Sequence, residues 1–220
     1  MEDKVFGINK KQYVFKADIH ALCTMGEFSG GVICMYMLYL HEVLKRAKMS
    51  EMVGFVDPSQ LGALGCGNPT ERSCHLANRF QNAKKGQIFM LPYNAGKHWM
   101  LTVVNPDEET IYFMDPLRSR LIGDKWEKVV ENGIKIYNAH RNRSSRKSIL
   151  WQNMVGIPVQ QTDKDCAIFI MRFMKEIVED RNLEFASKWQ RRSSKELVYT
   201  QKDLDAVRTK WAKFVMKYYI

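Results

Sequence analysis

The residues of this chain whose types and spacing suggest chemistry are a histidine, an aspartate, a glutamine and a cysteine. His98 and Asp115 lie seventeen positions apart, and Gln160 lies six positions before Cys166. An imidazole oriented by a carboxylate can take the proton of a thiol, and the thiolate then attacks a carbonyl carbon. A nearby amide N–H stabilises the oxyanion that forms. The set predicts a cysteine hydrolase with a nucleophile, a base, an orienting carboxylate and an oxyanion donor: Cys166, His98, Asp115 and Gln160.

A hairpin is expected to bring the base and the carboxylate together. Short apolar runs predict strands over 99–104 and 110–114, and the polar segment 105–109 has the Asn, Pro and Asp that suit the connection between them. In an antiparallel pair, the start of the first strand lies beside the end of the second. The imidazole of His98 and the carboxylate of Asp115 are therefore expected within reach of each other.

Cys166 stands where a loop ends and a strongly apolar helix, predicted to continue to Val178, begins. A sulfur in the first turn of a helix is close to the positive end of the helix dipole and to unpaired backbone N–H groups, which favour the thiolate. Taken singly, each residue has a structural alternative: Cys166 as a small buried apolar residue, His98 as a surface residue and Asp115 as a turn cap. Their combination favours the catalytic interpretation.

The other segments predict helices around a small sheet. Helices are expected over 32–46, 71–82, 117–138, 166–178 and 203–218, strands over 87–93, 99–104, 110–114 and 154–159, and a surface loop over 54–70. Strands flanked before and after by helices indicate an α+β fold with a small central mixed or antiparallel sheet. The hydrophobic content of 45% and the length fit a single domain over residues 1–220.

The cysteines give little support for a disulfide framework or a metal site. Their number is odd and their spacing irregular, which favours a reducing compartment, nucleus or cytoplasm. Cys66 and the pair Cys74-His75 have no matching second pair, so no metal and no cofactor is expected. The longest apolar run, over 30–40, is too short to span a bilayer, so no membrane association is expected. The cysteines are Cys23, Cys34, Cys66, Cys74 and Cys166.

The formal net charge is +10, with basic runs at 141–147 and 188–192. Such runs attract nucleic acid or an acidic protein partner. No recognisable nucleic-acid-binding motif accompanies them, which favours solvated loops instead. The run at 141–147 also resembles a nuclear localisation signal. Nothing in the sequence demands more than a monomer.

Several short motifs together resemble the ubiquitin-like protein protease family, the SUMO-specific and related cysteine proteases. These motifs are His98-Trp99, Asp115-Pro116, Gln160 and Asp165-Cys166. The similarity is best over 72–180 and thinner over the N-terminal helical part, 1–71. The segments 85–89, 101–104 and 171–178 are most similar to the plant, transposon-associated branch.

This resemblance implies a papain-like cysteine protease fold of the ubiquitin-like protease type. It also implies cleavage after the C-terminal Gly-Gly of a ubiquitin-like modifier or its conjugates, by a Cys-His-Asp triad with a glutamine oxyanion donor. In this chain the triad is Cys166, His98 and Asp115, and the donor is Gln160. Trp99 is expected to pack near the cleft for the Gly-Gly tail, with a plain core role as its alternative.

Gln161 is a rival of Gln160 for the amide role by a one-residue shift. Three departures from the family pattern leave a second hypothesis open. Ala167 stands where the family usually has glycine, and Glu27 lies near a position where SUMO proteases often carry tryptophan. The loop 162–165 lacks the glycine often found there. The alternative is a catalytically weak or inactive transposon-derived domain that binds a ubiquitin-like protein or nucleic acid.

Overall fold

The computed structural model describes residues 5–63, 67–118, 124–162, 164–193 and 198–220. Its helices are α1 (Lys16–Thr24), α2 (Gly30–Arg46), α3 (Pro69–Phe80), α4 (Asp124–His140), α5 (Cys166–Glu179), α6 (Phe185–Gln190) and α7 (Gln201–Tyr218). Its strands are β1 (Val53–Phe55), β2 (Ile88–Asn94), β3 (Trp99–Asn105), β4 (Thr110–Met114) and β5 (Leu150–Asn153). A short 3-10 turn, Pro58–Gln60, follows β1.

One mixed sheet runs through the centre of the fold in the order β1-β2-β3-β4-β5. The three central strands are antiparallel, whereas β1 and β5 pair in parallel with their neighbours. One face of the sheet packs against α2, α5 and α7, and the other against α3 and α4. This arrangement confirms the α+β class with a small mixed sheet.

Helix α2 has a well-defined start. Ser29 is its N-cap, and the Ser29 hydroxyl accepts from the backbone N–H groups of Gly31 and Val32. The Ser29 hydroxyl itself donates to the buried carboxylate of Asp18 at 2.6 Å, so α1 holds the first turn of α2. At the other end of the sequence, the Trp211 indole donates to the Val32 carbonyl at 2.9 Å, which fixes α7 on α2.

Two edge strands differ from the sequence prediction. The strand predicted over 154–159 is wrong, because β5 lies at Leu150–Asn153. The apolar signal there comes from Met154 and Ile157, whose side chains are buried from a loop. The surface loop predicted over 54–70 is also wrong in part, because it contains most of β1 and the 3-10 turn.

Helix boundaries differ as well. The helix predicted from 117 begins at Asp124; Arg118 has a positive φ of 51°, and the start of the prediction falls partly on residues 119–123, outside the described ranges. The helix predicted from 71 begins two residues earlier, where Pro69 suits a first helical turn and Asn68 forms a capping box with Glu71. The short helices α1 and α6 were not predicted.

Two arginines of the basic run at 141–147 contact other parts of the fold. The Arg143 guanidinium pairs with the Asp107 carboxylate at 3.0 Å and donates to its backbone carbonyl at 2.8 Å. The Arg141 guanidinium lies 5.1 Å from the centre of the Tyr137 ring. These two arginines therefore have intramolecular roles that pin the loop to the β3-β4 connection and to α4.

The cysteine thiols described by the structure are free; they are Cys23, Cys34, Cys74 and Cys166. Cys66 lies outside the described residues. Within those ranges, no three His, Cys, Asp or Glu side chains form a group that could hold a metal ion. No helix in the described part of the chain is both long and apolar enough to cross a membrane.

Candidate active site

The β3-β4 hairpin brings His98 and Asp115 into direct contact. His98 immediately precedes β3 and Asp115 immediately follows β4, and the two strands pair in antiparallel register. The His98 Nε2 atom lies 2.6 Å from Asp115 Oδ1. The same carboxylate oxygen accepts the backbone N–H of Leu117 at 2.9 Å. The carboxylate is 5% exposed, so a buried and hydrogen-bonded group fixes the orientation of the imidazole.

The protonation of His98 reflects opposing effects. Burial alone would lower the pKa of His98, but hydrogen bonds to the Asp115 carboxylate and to Cys166 outweigh it and raise the pKa to about 9. The ring is therefore protonated at neutral pH. Because Nε2 faces Asp115, the Nδ1–H is the group left to face the sulfur. A protonated imidazole beside a sulfur stabilises a thiolate.

Cys166 is the first residue of α5 and is buried, with 4% of its surface exposed. Asp165 occupies the N-cap position, but its side chain makes no capping hydrogen bond to the helix. The backbone N–H groups of the first turn are therefore not covered by Asp165, and the positive end of the helix lies at the sulfur. The position agrees with the one expected from sequence.

Gln160 reaches the site from the segment that follows β5. Its backbone N–H donates to the Pro116 carbonyl at 2.9 Å, which ties it to the residue after Asp115. Its side chain is buried, and its Nε2 donates to the Thr162 carbonyl at 2.6 Å. The rival, Gln161, is exposed and its amide donates to the Val159 carbonyl at 3.3 Å. Of the two glutamines, Gln160 is therefore the buried one that is tied to the residue after Asp115.

A narrow cleft opens on one side of Cys166. Trp99 lines it, is 5% exposed, and donates its indole N–H to the Phe28 carbonyl at 3.1 Å. This hydrogen bond links the start of β3, next to His98, to the turn before α2. The lining residues are Glu27, Phe28, Asn94, Gly96, Lys97, Trp99, Lys164, Cys166 and Ala167.

The features that differ from the family pattern also lie at this cleft. The Ala167 methyl is buried in the first turn of α5 and lines the cleft beside the sulfur. Glu27 also lines the cleft and is exposed to solvent. In the loop before Cys166, the Thr162 hydroxyl donates to the Asp165 carboxylate at 2.6 Å; Asp163 lies outside the described residues. Of the residues predicted from sequence, the structure brings Cys166, His98, Asp115 and Trp99 together. Gln160 is tied to Pro116, the residue after Asp115.

Two contributors were not identified from sequence, the Phe28 carbonyl and the Thr162 side chain. No sequence pattern marks a single backbone carbonyl. For Thr162 a signal exists, because a threonine three residues before an aspartate has the spacing of a capping interaction. Chemically, the arrangement supplies a thiol, an imidazolium, a carboxylate and amide donors within one partly buried region, which is what acyl transfer through a thioester requires.

Comparison with known proteins was consistent with this chemistry. Residues 29–219 match the family described as the Ulp1 protease family, C-terminal catalytic domain. A search of curated proteins found no match.

Solved structures share the fold at low sequence identity. A crystal structure of a de-sumoylating protease has a TM-score of 0.70 and 13% identity, covering 96% of this chain and 92% of that one. The C-terminal Ulp1 protease domain in complex with Smt3, the yeast ortholog of SUMO, has a TM-score of 0.59 and 14% identity, covering 91% of this chain and 80% of that one. The Xanthomonas campestris effector XopD bound to ubiquitin has a TM-score of 0.56 and 15% identity, covering 96% of this chain and 97% of that one.

Proposed function

The chain belongs to the Ulp1 protease family of cysteine proteases, and from this we propose that it hydrolyses the bond after the C-terminal Gly-Gly of a SUMO-like modifier. The observation that carries the proposal is the position of His98. One nitrogen of its ring bonds the Asp115 carboxylate, and the ring also hydrogen-bonds to Cys166 at the start of α5. A half-buried histidine with a purely structural role has no need of both partners.

In the proposed mechanism, the Cys166 thiolate attacks the carbonyl carbon of the terminal glycine. The oxyanion accepts hydrogen bonds from the Gln160 side-chain amide and from the backbone N–H of Cys166. The intermediate collapses when the imidazolium of His98 donates its proton to the leaving amine, and a thioester remains on the sulfur. His98 then takes a proton from water, the hydroxide attacks the thioester, and the modifier leaves with a free carboxylate. Asp115 holds the ring throughout.

Three observations support a modifier with a Gly-Gly tail as the substrate. The cleft beside Cys166 is narrow, and the hydrogen bond from Trp99 to the Phe28 carbonyl holds its wall in place. Glycine, which has no side chain, fits such a passage best. The fold is shared with a protease domain solved in complex with Smt3 and with an effector solved bound to ubiquitin. The charge of +10 suits an acidic partner.

A second candidate is a weak or inactive domain that binds a ubiquitin-like protein. The observation that favours it is that two residues unusual for the family, Ala167 and Glu27, both line the cleft. Binding of nucleic acid is less well supported, because Arg141 and Arg143 of the basic run contact the protein itself.

The decisive experiment uses modifiers that carry a C-terminal electrophile in place of the scissile bond. The purified chain and Cys166→Ser are incubated with SUMO and ubiquitin probes of this type, and intact mass is recorded. We expect one adduct on the wild-type chain with the SUMO probe and none on the variant. Cys74→Ser is the matched control, because Cys74 is an exposed thiol away from the cleft; it should react like wild type.

The results separate the two candidates. An adduct that survives Cys166→Ser would contradict the assigned nucleophile. If no modifier probe reacts with the folded wild-type chain, while the chain still binds SUMO by calorimetry, then the binding-module hypothesis replaces the protease.

A further inference from the structure

We propose that Thr162 is a positioning residue that holds the Gln160 amide with its N–H groups toward the oxyanion. This inference rests on the proposed function, because it assigns the way in which one part of that site is oriented. Thr162 lies in the loop that joins Gln160 to Cys166, and it contacts both ends of that loop.

The Thr162 carbonyl determines which way the Gln160 amide faces. It accepts from Gln160 Nε2 at 2.6 Å. If the amide turned over, its oxygen would meet the carbonyl oxygen of Thr162, and two acceptors repel each other. The NH2 group has a second N–H, which the bond to Thr162 does not use and which remains for a developing oxyanion.

This orientation of the amide leaves the Gln160 oxygen without a hydrogen bond within the described part of the chain, at a cost in free energy. Gln160 Oε1 is buried and has no hydrogen-bond partner among the described residues. Leaving a buried acceptor unpaired is unfavourable by about 1 to 3 kcal/mol. An orientation that carries such a penalty must be imposed by the bond on the nitrogen side, and that bond comes from Thr162.

The Thr162 side chain fixes the backbone that presents this carbonyl. Its hydroxyl donates to Asp165 Oδ2 at 2.6 Å and lies 3.4 Å from the Lys164 backbone nitrogen. Asp165 is the N-cap of α5 and directly precedes Cys166. The hydroxyl therefore anchors the loop to the helix that carries the nucleophile, so the amide and the sulfur keep a constant separation.

Thr162→Val tests this role, because valine keeps the branched shape and replaces the hydroxyl with a methyl group. The substrate is SUMO with a C-terminal aminomethylcoumarin amide. We expect kcat to fall about tenfold, a fraction of the loss of a whole oxyanion donor, with KM within about twofold of wild type. Thr162→Ser, which retains the hydroxyl, should restore kcat, and Asp165→Ala, which removes the acceptor, should reproduce the loss.

The matched control is Thr200→Val. The Thr200 hydroxyl donates to Asp203 Oδ2 at 2.6 Å with the same three-residue spacing, at the start of α7. This variant should keep wild-type kcat. The rate of Cys166 alkylation by iodoacetamide should stay within about twofold of wild type in Thr162→Val, because the thiol and His98 are untouched. Wild-type kcat in Thr162→Val, no recovery in Thr162→Ser, or slowed alkylation would each overturn the proposal.

A second readout does not depend on the substrate. The side-chain amide resonances of Gln160 are assigned in the NMR spectrum by their loss in Gln160→Ala. They should shift in Thr162→Val and return in Thr162→Ser. If wild type cleaves no modifier and the amide still shifts in this way, the proposed function fails while the contact stands. An amide insensitive to Thr162 would overturn the positioning role, whatever the activity.

Discussion

At the residue scale, the behaviour of the site depends on the two hydrogen bonds of His98. Burial favours the neutral ring, whereas the hydrogen bonds to Asp115 and Cys166 favour the charged one and raise the pKa to about 9. The charged ring has two uses in the proposed mechanism, since it stabilises the thiolate and supplies the proton for the leaving amine. Both uses end when the ring loses its proton.

The first prediction concerns pH. The alkaline limb of kcat/KM should lie near pH 9, and Asp115→Asn should move it to lower pH, because the variant removes a group that raises the pKa of His98. By linkage, a raised folded-state pKa stabilises the fold below about pH 6.5, and this stabilisation is lost as pH rises through about 9. Asp115→Asn should also lower kcat by at least about a hundredfold. Steady-state kinetics and urea unfolding across pH measure these effects.

Asp107→Asn is the matched control for this experiment. Asp107 lies in the connection between the same two strands, at the end away from His98, where it accepts from the Tyr137 hydroxyl and pairs with Arg143. Its loss should lower stability but leave the alkaline limb of kcat/KM in place. An unchanged limb in Asp115→Asn would show that another group titrates there.

At the scale of the elements, the sequence predicts best what is formed locally. The hairpin of β3 and β4 and the start of α5 were predicted closely, because each depends on apolar runs and turn residues within a short segment. The parallel edge strands were not. β1 has only three residues, with Gly54 at its centre packed under the Phe89 ring, and β5 alternates poorly because both its ends are exposed. Their partners are distant in sequence, so no local pattern marks them.

The same distinction applies to the candidate site. The contact between His98 and Asp115 could be predicted from the hairpin, and the position of Cys166 at the start of α5 from the apolar run that follows it. The contacts that orient them, such as the indole of Trp99 on the Phe28 carbonyl, depend on tertiary structure, in which a backbone atom of any residue type can serve.

The second prediction tests the segment between β5 and Gln160. A Cβ on Gly156 would collide with the backbone carbonyl of Trp189 in α6, and a backbone atom cannot move aside as a side chain can. Gly156→Ala should therefore lower the free energy of unfolding by roughly 3 kcal/mol. It should also lower kcat under conditions in which the protein remains folded, because the displaced segment carries Gln160. Urea unfolding and steady-state kinetics measure the two effects.

Gly26→Ala is the control, since the nearest atoms to a Cβ there lie 3.5 Å away or further. It should change stability by less than about 0.5 kcal/mol. Wild-type stability in Gly156→Ala would mean that the segment and α6 are separated more widely than the structure shows.

At the scale of the whole molecule, two features determine how a substrate protein meets the site. The sheet divides the core into two parts. The cleft is lined by Trp99 of the hairpin and Cys166 of α5, which both pack in the same part of the core. The chain has a formal net charge of +10, and two of the residues that line the cleft, Lys97 and Lys164, are exposed lysines. Long-range attraction of this kind acts on encounter more than on the chemical step.

The third prediction is therefore a salt effect confined to association. For an acidic modifier substrate, kcat/KM should fall about tenfold between roughly 0.05 and 0.5 M salt, with kcat nearly constant. A short uncharged peptide amide ending in Gly-Gly should show little change in kcat/KM. Equal salt dependence for both substrates would contradict electrostatic steering, because the peptide has no acidic surface to attract.

The hydrogen bond between the Trp211 indole and the Val32 carbonyl joins residues 179 positions apart. During synthesis, this hydrogen bond cannot form until residue 211 has left the ribosome. The hairpin that carries His98 and Asp115 is complete much earlier. A nascent chain of intermediate length thus contains the imidazole of His98 and the carboxylate of Asp115, while α5, which carries the Cys166 thiol, does not yet have α7 packed beside it. The packing of α7 on α2 therefore forms after the part of the site that the hairpin provides.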